Sequence, residues 1–146
     1  MGREAAPRAH GRGALAALLN RRDIHHAWVL ETLKRCEAPL IACEAVLSEA
    51  AFLIQRDGRD PAEVAEIAAS GAIRVEPVFP EHAGRVAALM RKYADVPMSL
   101  ADACLVVLAE RHAGDRPGAQ VLTLDTDFQV YRMHGRRRIP LLAPFA

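Results

Sequence analysis

Residues 122–128 read LTLDTDF, an apolar run that ends in two aspartates spaced two apart and closed by an aromatic. Two negative charges at the end of a buried strand need a reason. One is a solvated turn in which Asp side chains hydrogen-bond the backbone just ahead of them. The other is a bound cation, because in an extended chain Asp125 and Asp127 point to the same side. The pair alone leaves both open.

Working outward, residues 120–124 make a short apolar strand, and 138–142 a final edge strand. Upstream, Ser99-Leu-Ala-Asp102 opens a helix through ACLVVLAERH that ends near Gly114, and Pro97 separates it from the preceding helix. That preceding helix opens at Pro80 and runs to Tyr93, with Ala83, Val86, Ala87 and Met90 on one face. It can turn that face to the core or to a partner.

Earlier still, 73–78 is β-like, and Asp60-Pro61-Ala62-Glu63 is a helix start with Asp as cap; its helix ends at Ser70-Gly71. Residues 44–55 form a helix apolar on nearly every side, 39–43 a buried strand, and 24–37 a helix capped by Asp23. Alternation of helices with short apolar strands predicts an α/β fold, with a mostly parallel sheet covered on both faces.

The chain has 146 residues, long enough for one domain with a core. Its 19 basic and 18 acidic residues give a net charge of +1, so attraction to polyanions must be local. No apolar run reaches membrane-spanning length and the first residues lack a secretory signal's apolar middle, which predicts a cytoplasmic protein. Cys36, Cys43 and Cys104 show no zinc spacing and read as small core residues. Trp28, Phe52, Met90 and Met98 are expected in the core, and His25-His26 on the surface of a first helical turn. The sequence contains neither a GxGxxG nor a Walker loop.

Three elements carry acids out of keeping with their neighbours: Glu49 in VLSEAAFLI, Asp102 in LADACLVVLA, and the Asp125/Asp127 pair. A buried carboxylate is costly without a partner. All three elements can bring their acids to the carboxyl end of the sheet, where ligand sites form. Acids gathered there repel one another unless cations are bound, and hard oxygen donors suit Mg²⁺ or Mn²⁺. Each also has a plain structural role available: a capping box for Asp102 with Ser99, an Asp turn for 125–127, an ion pair with Arg56 for Glu49. A DxD phosphatase is disfavoured, since its nucleophile would follow the first strand.

The segments CEAVLSEAAFLI, MSLADACLVVLAER and VLTLDTDFQVYR, in that order, resemble the PIN-domain ribonucleases, in particular VapC-type toxins of toxin–antitoxin pairs; GALAALLNRRDIHHAWVLETL fits the same pattern. The resemblance implies a three-layer α/β/α sandwich around a parallel sheet of four or five strands, with residues 13–146 as one PIN-like domain. It implies a Mg²⁺- or Mn²⁺-dependent endoribonuclease, with Glu49, Asp102, Asp125 and Asp127 as metal-binding catalytic acids and Thr123 and Ser99 in support. It further implies an antitoxin partner, an RNA substrate and a homodimer. The basic run Arg132, His134, Arg136, Arg137 and Arg138 is either solvated or, through Arg132, Arg136 and Arg137, an RNA contact.

One position departs from the pattern. The family's first strand is apolar and ends in Asp, whereas here the atypical polar segment 1–12 places Gly11 there. The polar first strand is therefore degenerate. Either a ligand has been lost and activity is impaired, or those residues are read from a wrong start or frame. A catalytically inactive module that keeps antitoxin or RNA binding is the alternative reading.

Overall fold

Helix α1 (Ala14–Leu19) packs on α2 (His26–Arg35) and α3 (Glu44–Arg56). This computed structural model describes residues 13–145 apart from Ala38 and Pro117; segment 1–12, Gly11 included, lies outside the described residues. Helix α2 begins later than the expected 24, because Asp23 spends its carboxylate on a tight turn, accepting from the N–H of His25 at 2.8 Å. Its His26 contacts the carbonyl oxygen of Ala17 through Nδ1 at 2.9 Å, joining α2 to α1. The paired histidines are half-buried rather than surface residues.

Strand β1 (Leu40–Ala42) pairs in parallel with β2 (Ile73–Val75), on either side of α3 and α4 (Ala62–Ala69). The expected Asp60 start is present as an Asp turn, Oδ1 accepting from the N–H of Ala62 at 3.0 Å. Glu63 instead faces Arg59 in a 3.0 Å ion pair.

Helix α5 (Phe79–Lys92) opens with Pro80 in its first turn and kinks at His82. It buries Val86 and Leu89 against α6 (Leu100–Arg111). The buried face is therefore rotated from the expected one: Ala83 is exposed and Met90 half-buried. Helix α6 is apolar on almost every side and is the centre of the fold, with Ala103, Cys104 and Val106 fully buried. Truncating a fully buried aliphatic such as Leu89 to Ala costs about 2–5 kcal/mol.

Strand β3 (Val121–Leu122) pairs in parallel with β6 (Leu141–Leu142), and β4 (Arg132–Met133) forms an antiparallel hairpin with β5 (Arg137–Arg138). His134 and Gly135 both take positive φ, as a tight hairpin turn requires. Residues 138–142 are thus not one edge strand. Pro140, which has no N–H to donate, separates β5 from β6.

The strands among the described residues are shorter than expected. Among the described residues there are two parallel pairs, β1-β2 and β3-β6, and the separate hairpin. The core is likewise divided. One cluster surrounds α6 and includes Met98, Phe128 and Tyr131, while a smaller one joins Ala16, Ala50, Leu53, Ile54 and Val64. Cys43 and Cys104 are buried free thiols, and Cys36 is a half-buried one. Phe52, expected in the core, is 63% exposed, and Trp28 is half-buried. Helix α3 therefore has an outward face that its apolar sequence concealed.

Candidate functional site

The helix that follows β1, the start of α6 and the chain leaving β3 converge on a single cleft of about 1510 Å³. Its lining includes Glu49, Ser99, Asp102, Thr123, Asp125 and Asp127. Each acid arrives there for a local reason.

Asp102 is held by the start of its helix. Ser99 Oγ accepts from the N–H of Asp102 at 3.0 Å, and Asp102 Oδ2 accepts from the N–H of Ser99 at 3.3 Å, a complete capping box. The same Oδ2 accepts from the hydroxyl of Tyr131 at 3.0 Å. Burial pushes the Asp102 carboxyl above its ordinary range; the hydrogen bonds from Tyr131 and Ser99 oppose that rise, and the charge of Asp125 adds to it.

Asp125 caps the short 3₁₀ turn Thr126–Gln129, its Oδ1 accepting from the N–H of Asp127 at 2.9 Å. Its own N–H donates to Oγ1 of the buried Thr123 at 2.9 Å. The backbone is therefore not extended through 125–127, and the alternation expected to align the two acids does not operate. The Asp turn and the cleft position coexist, because one oxygen of Asp125 serves the turn.

Glu49 lies in the second turn of α3 on an exposed position, not on a buried face. It has solvent-accessible surface, yet the cleft walls crowd its carboxyl. Desolvation raises its pKa first, followed by the charges of Asp102 and then Asp125. Arg56, its suggested partner, sits 3.7 Å from Asp57 instead. Glu49, Asp102 and Asp125 thus stand near enough for their charges to act on one another.

Tyr131 has no counterpart among the residues singled out in the sequence. It is fully buried, edge-on to Tyr93 at 5.2 Å and to Phe128 at 5.0 Å between ring centroids. Burial and then the Asp102 charge push its hydroxyl well above the usual tyrosine range, so it donates and does not ionise. The available signal was physical: a tyrosine in a core needs a partner for its hydroxyl.

The basic run lies apart from these acids. Arg132 Nη1 donates to the carbonyls of Gln129, Val130 and Tyr131 at 2.7, 3.0 and 3.1 Å, so it braces the chain after the 3₁₀ turn. Arg136, Arg137 and Arg138 are exposed on the hairpin, and none of these arginines is among the described residues lining the cleft.

The donor set can be tested against a metal on its chemistry. Carboxylates that line one cleft, with the charges of Asp102 and Asp125 adding to the rise of Glu49 and that of Asp125 to the rise of Asp102, suit a hard divalent ion that keeps much of its water and takes few protein ligands. They do not make a closed cage: among the described residues no three His, Cys, Asp or Glu form a group that could hold a metal ion. No helix among the described residues is long and apolar enough to cross a membrane.

A family model described as PIN domain matches residues 12–132, most of the chain and all four acids. No curated protein matches the chain.

Proposed function

Because the chain belongs to the PIN domain family, a nuclease-type fold, we propose that it is a metal-dependent endoribonuclease of the VapC toxin kind, acting on RNA phosphodiesters at the acidic cleft. The observation that carries this reading is the meeting of Glu49, Asp102 and Asp125, from three separate elements, in one cleft where the carboxyls of Glu49 and Asp102 are raised first by burial and further by neighbouring acid charge. Glu49, Asp102, Asp125 and Asp127 would hold Mg²⁺ or Mn²⁺. When bound, such an ion supplies charge for the phosphate oxygens and for activation of water. The chain's own part is positioning. Ser99 and Tyr131 aim Asp102, and Thr123 fixes the turn that presents Asp125. In this reading residues 13–146 act as one cytoplasmic three-layer α/β/α domain that forms a homodimer and is restrained by a cognate antitoxin.

A second reading is a module that binds antitoxin or RNA without cleaving. Gly11 favours it, since the family's first acid is absent from that position. Asp102 favours it too, because one of its oxygens is already shared between a cap and Tyr131.

Cleavage of a labelled RNA with Mn²⁺ tests the two readings, using the parent chain, Asp125→Asn and Gly11→Asp. The nuclease reading expects weak cleavage that Asp125→Asn abolishes and Gly11→Asp raises. Metal-stimulated cleavage unchanged in Asp125→Asn would remove the cleft from the reaction. No cleavage by either the parent or Gly11→Asp, with RNA still bound, selects the binding module.

A further inference from the structure

We propose that the β4-β5 hairpin and the end of α5 form one docking surface for RNA phosphates, set apart from the acid cleft. The two elements meet at the hairpin turn, where Lys92 Nζ donates to the carbonyl oxygen of Gly135 at 3.0 Å. Arg91 and Lys92 close the last turn of α5, Arg136 stands in the hairpin turn, and Arg137 and Arg138 form β5. All five residues are exposed. With a net charge of only +1 on the whole chain, this concentration of cations is local.

The surface has no acid to balance it. Among the described residues none of the five cations is in an ion pair, although Asp95 follows Lys92 by three residues. Glu110, the acid that meets the hairpin, is already taken: Arg85 Nε donates to it at 3.1 Å and the His134 N–H at 2.6 Å. The register adds repulsion, since Arg132 and Arg138 are directly opposite partners across the hairpin, and like charges so placed destabilise it. Neither strand carries an acid, and Arg132 turns its Nη1 to backbone carbonyls. A bound polyanion supplies the countercharge that the fold leaves out.

The surroundings select the polyanion. Residues 134–138 read HGRRR, and the apolar residues on either side, Met133 and Ile139, are buried. The tip therefore offers nothing to insert into a bilayer and no apolar anchor for a protein partner. Guanidinium forks match the oxygens of phosphates, which favours a nucleic-acid backbone. The choice of RNA rests on the ribonuclease reading of the acid cleft. Glu110, which holds the hairpin turn, lies eight residues after Asp102 on α6, about 12 Å along the axis. About three or four stacked nucleotides, at about 3.4 Å each, cover that distance. The hairpin arginines do not line the cleft, so they hold the strand away from the reacting phosphate and contribute affinity rather than chemistry.

The test measures binding without cleavage: the full chain in EDTA is titrated into a fluorescent single-stranded RNA of mixed sequence across a sodium chloride series. The parent is compared with R136Q/R137Q/R138Q, with the charge-keeping R136K/R137K/R138K, and with R21Q/R22Q on the exposed turn after α1, each checked for folding by circular dichroism. The surface expects the glutamine triple to bind about tenfold or more weakly at about 0.1 M salt, with the slope of log affinity against log salt shallower by about 2, at about 0.7 per cation. The lysine triple should keep the parent's slope, and R21Q/R22Q should stay within about twofold of its affinity. Should the glutamine triple not fold, R137Q alone is expected to reduce the slope by about 0.7. An unchanged slope in the glutamine variants overturns the proposal, as does no RNA binding by the parent. An equal fall per charge in R21Q/R22Q overturns it too, since that would be attraction to net charge alone. So does hairpin-dependent binding to phosphatidylserine vesicles with RNA binding indifferent to the hairpin. Cleavage with Mn²⁺ is scored separately. Hairpin-dependent binding by a chain that never cleaves supports the surface and removes the nuclease reading, whereas cleavage with binding indifferent to the hairpin removes the surface alone.

Discussion

Tyr131 and Ser99 share one oxygen of Asp102: the buried hydroxyl donates to Oδ2 at 3.0 Å, and the backbone N–H at the helix cap donates to it at 3.3 Å. The acid at the start of α6 is thereby fixed from two sides, one local in sequence and one 29 residues away. Tyr131→Phe keeps the ring packing and removes the donor. The expected outcome is a stability loss of about 1–3 kcal/mol in urea unfolding, together with a further rise of the Asp102 carboxyl pKa in an NMR titration. An unmoved Asp102 would mean that the hydroxyl does not hold it.

Glu49 and Asp102 both carry carboxyls raised above their ordinary values, so in the window above those values the folded state holds more protons than the unfolded one. Stability contributed by these groups therefore falls as pH rises from about 4 through their folded pKa values. Glu49→Gln removes one of the repelling charges. Its denaturation midpoint at pH 7 is expected above the parent's, with the difference closing at pH 4; a variant less stable than the parent at pH 7 would contradict the repulsion. Mn²⁺ should raise the parent's Tm, and Asp125→Asn should reduce that rise.

His112 lies between Glu76, 2.8 Å from Nε2, and Asp115, 2.7 Å from Nδ1. The hydrogen bond to Glu76 is the first cause raising its pKa, against a smaller cost of burial, with Asp115 adding to the rise. This contribution is complete below the unfolded value near 6.5 and disappears as pH climbs through the higher folded value. Glu76 is shifted the other way, downward, first by the same hydrogen bond, so its contribution holds above about 4.5 and is lost as pH falls through its folded value. His112→Ala is expected to flatten the decline in stability above pH 6.5, measured by urea midpoints across pH 6–9.

Glu110 joins three segments. It pairs with Arg85 of α5 through two hydrogen bonds, one of them from Nε at 3.1 Å, and accepts from the N–H of His134 at 2.6 Å. Burial works to raise its pKa, but Arg85 and His134 together draw it down. Glu110→Ala leaves the His134 amide without this acceptor and is expected to cost about 2 kcal/mol. The loss should be accompanied by faster amide exchange across the β4-β5 hairpin.

The helical half of the fold was legible because caps and periodicity are local: Ser99 with Asp102, the Asp60 turn and Pro80 each mark a helix start. Faces were less legible. Helix α3 is rich in apolar residues throughout, so nothing in its own pattern says that Phe52 points outward or that Glu49 stands on an exposed cleft wall. Strand lengths and pairing depend on neighbours distant in sequence, and for that reason the strands among the described residues are shorter than the apolar runs that marked them. Of the site, the acids stood out by contrast with their surroundings. Tyr131 did not, because a tyrosine beside Asp127 is unremarkable until the fold brings its hydroxyl to Asp102.

The buried Cys43 and Cys104 have a practical consequence. Desolvation first, then the neighbouring Cys43, push the Cys104 thiol up to about 12, which keeps it protonated and poorly nucleophilic at neutral pH. An alkylating reagent applied to the native protein should therefore label the half-buried Cys36 before either buried thiol, with the remaining sulfurs appearing only as the core opens. The chain carries its own reporter of global unfolding, readable by mass spectrometry without any added probe site.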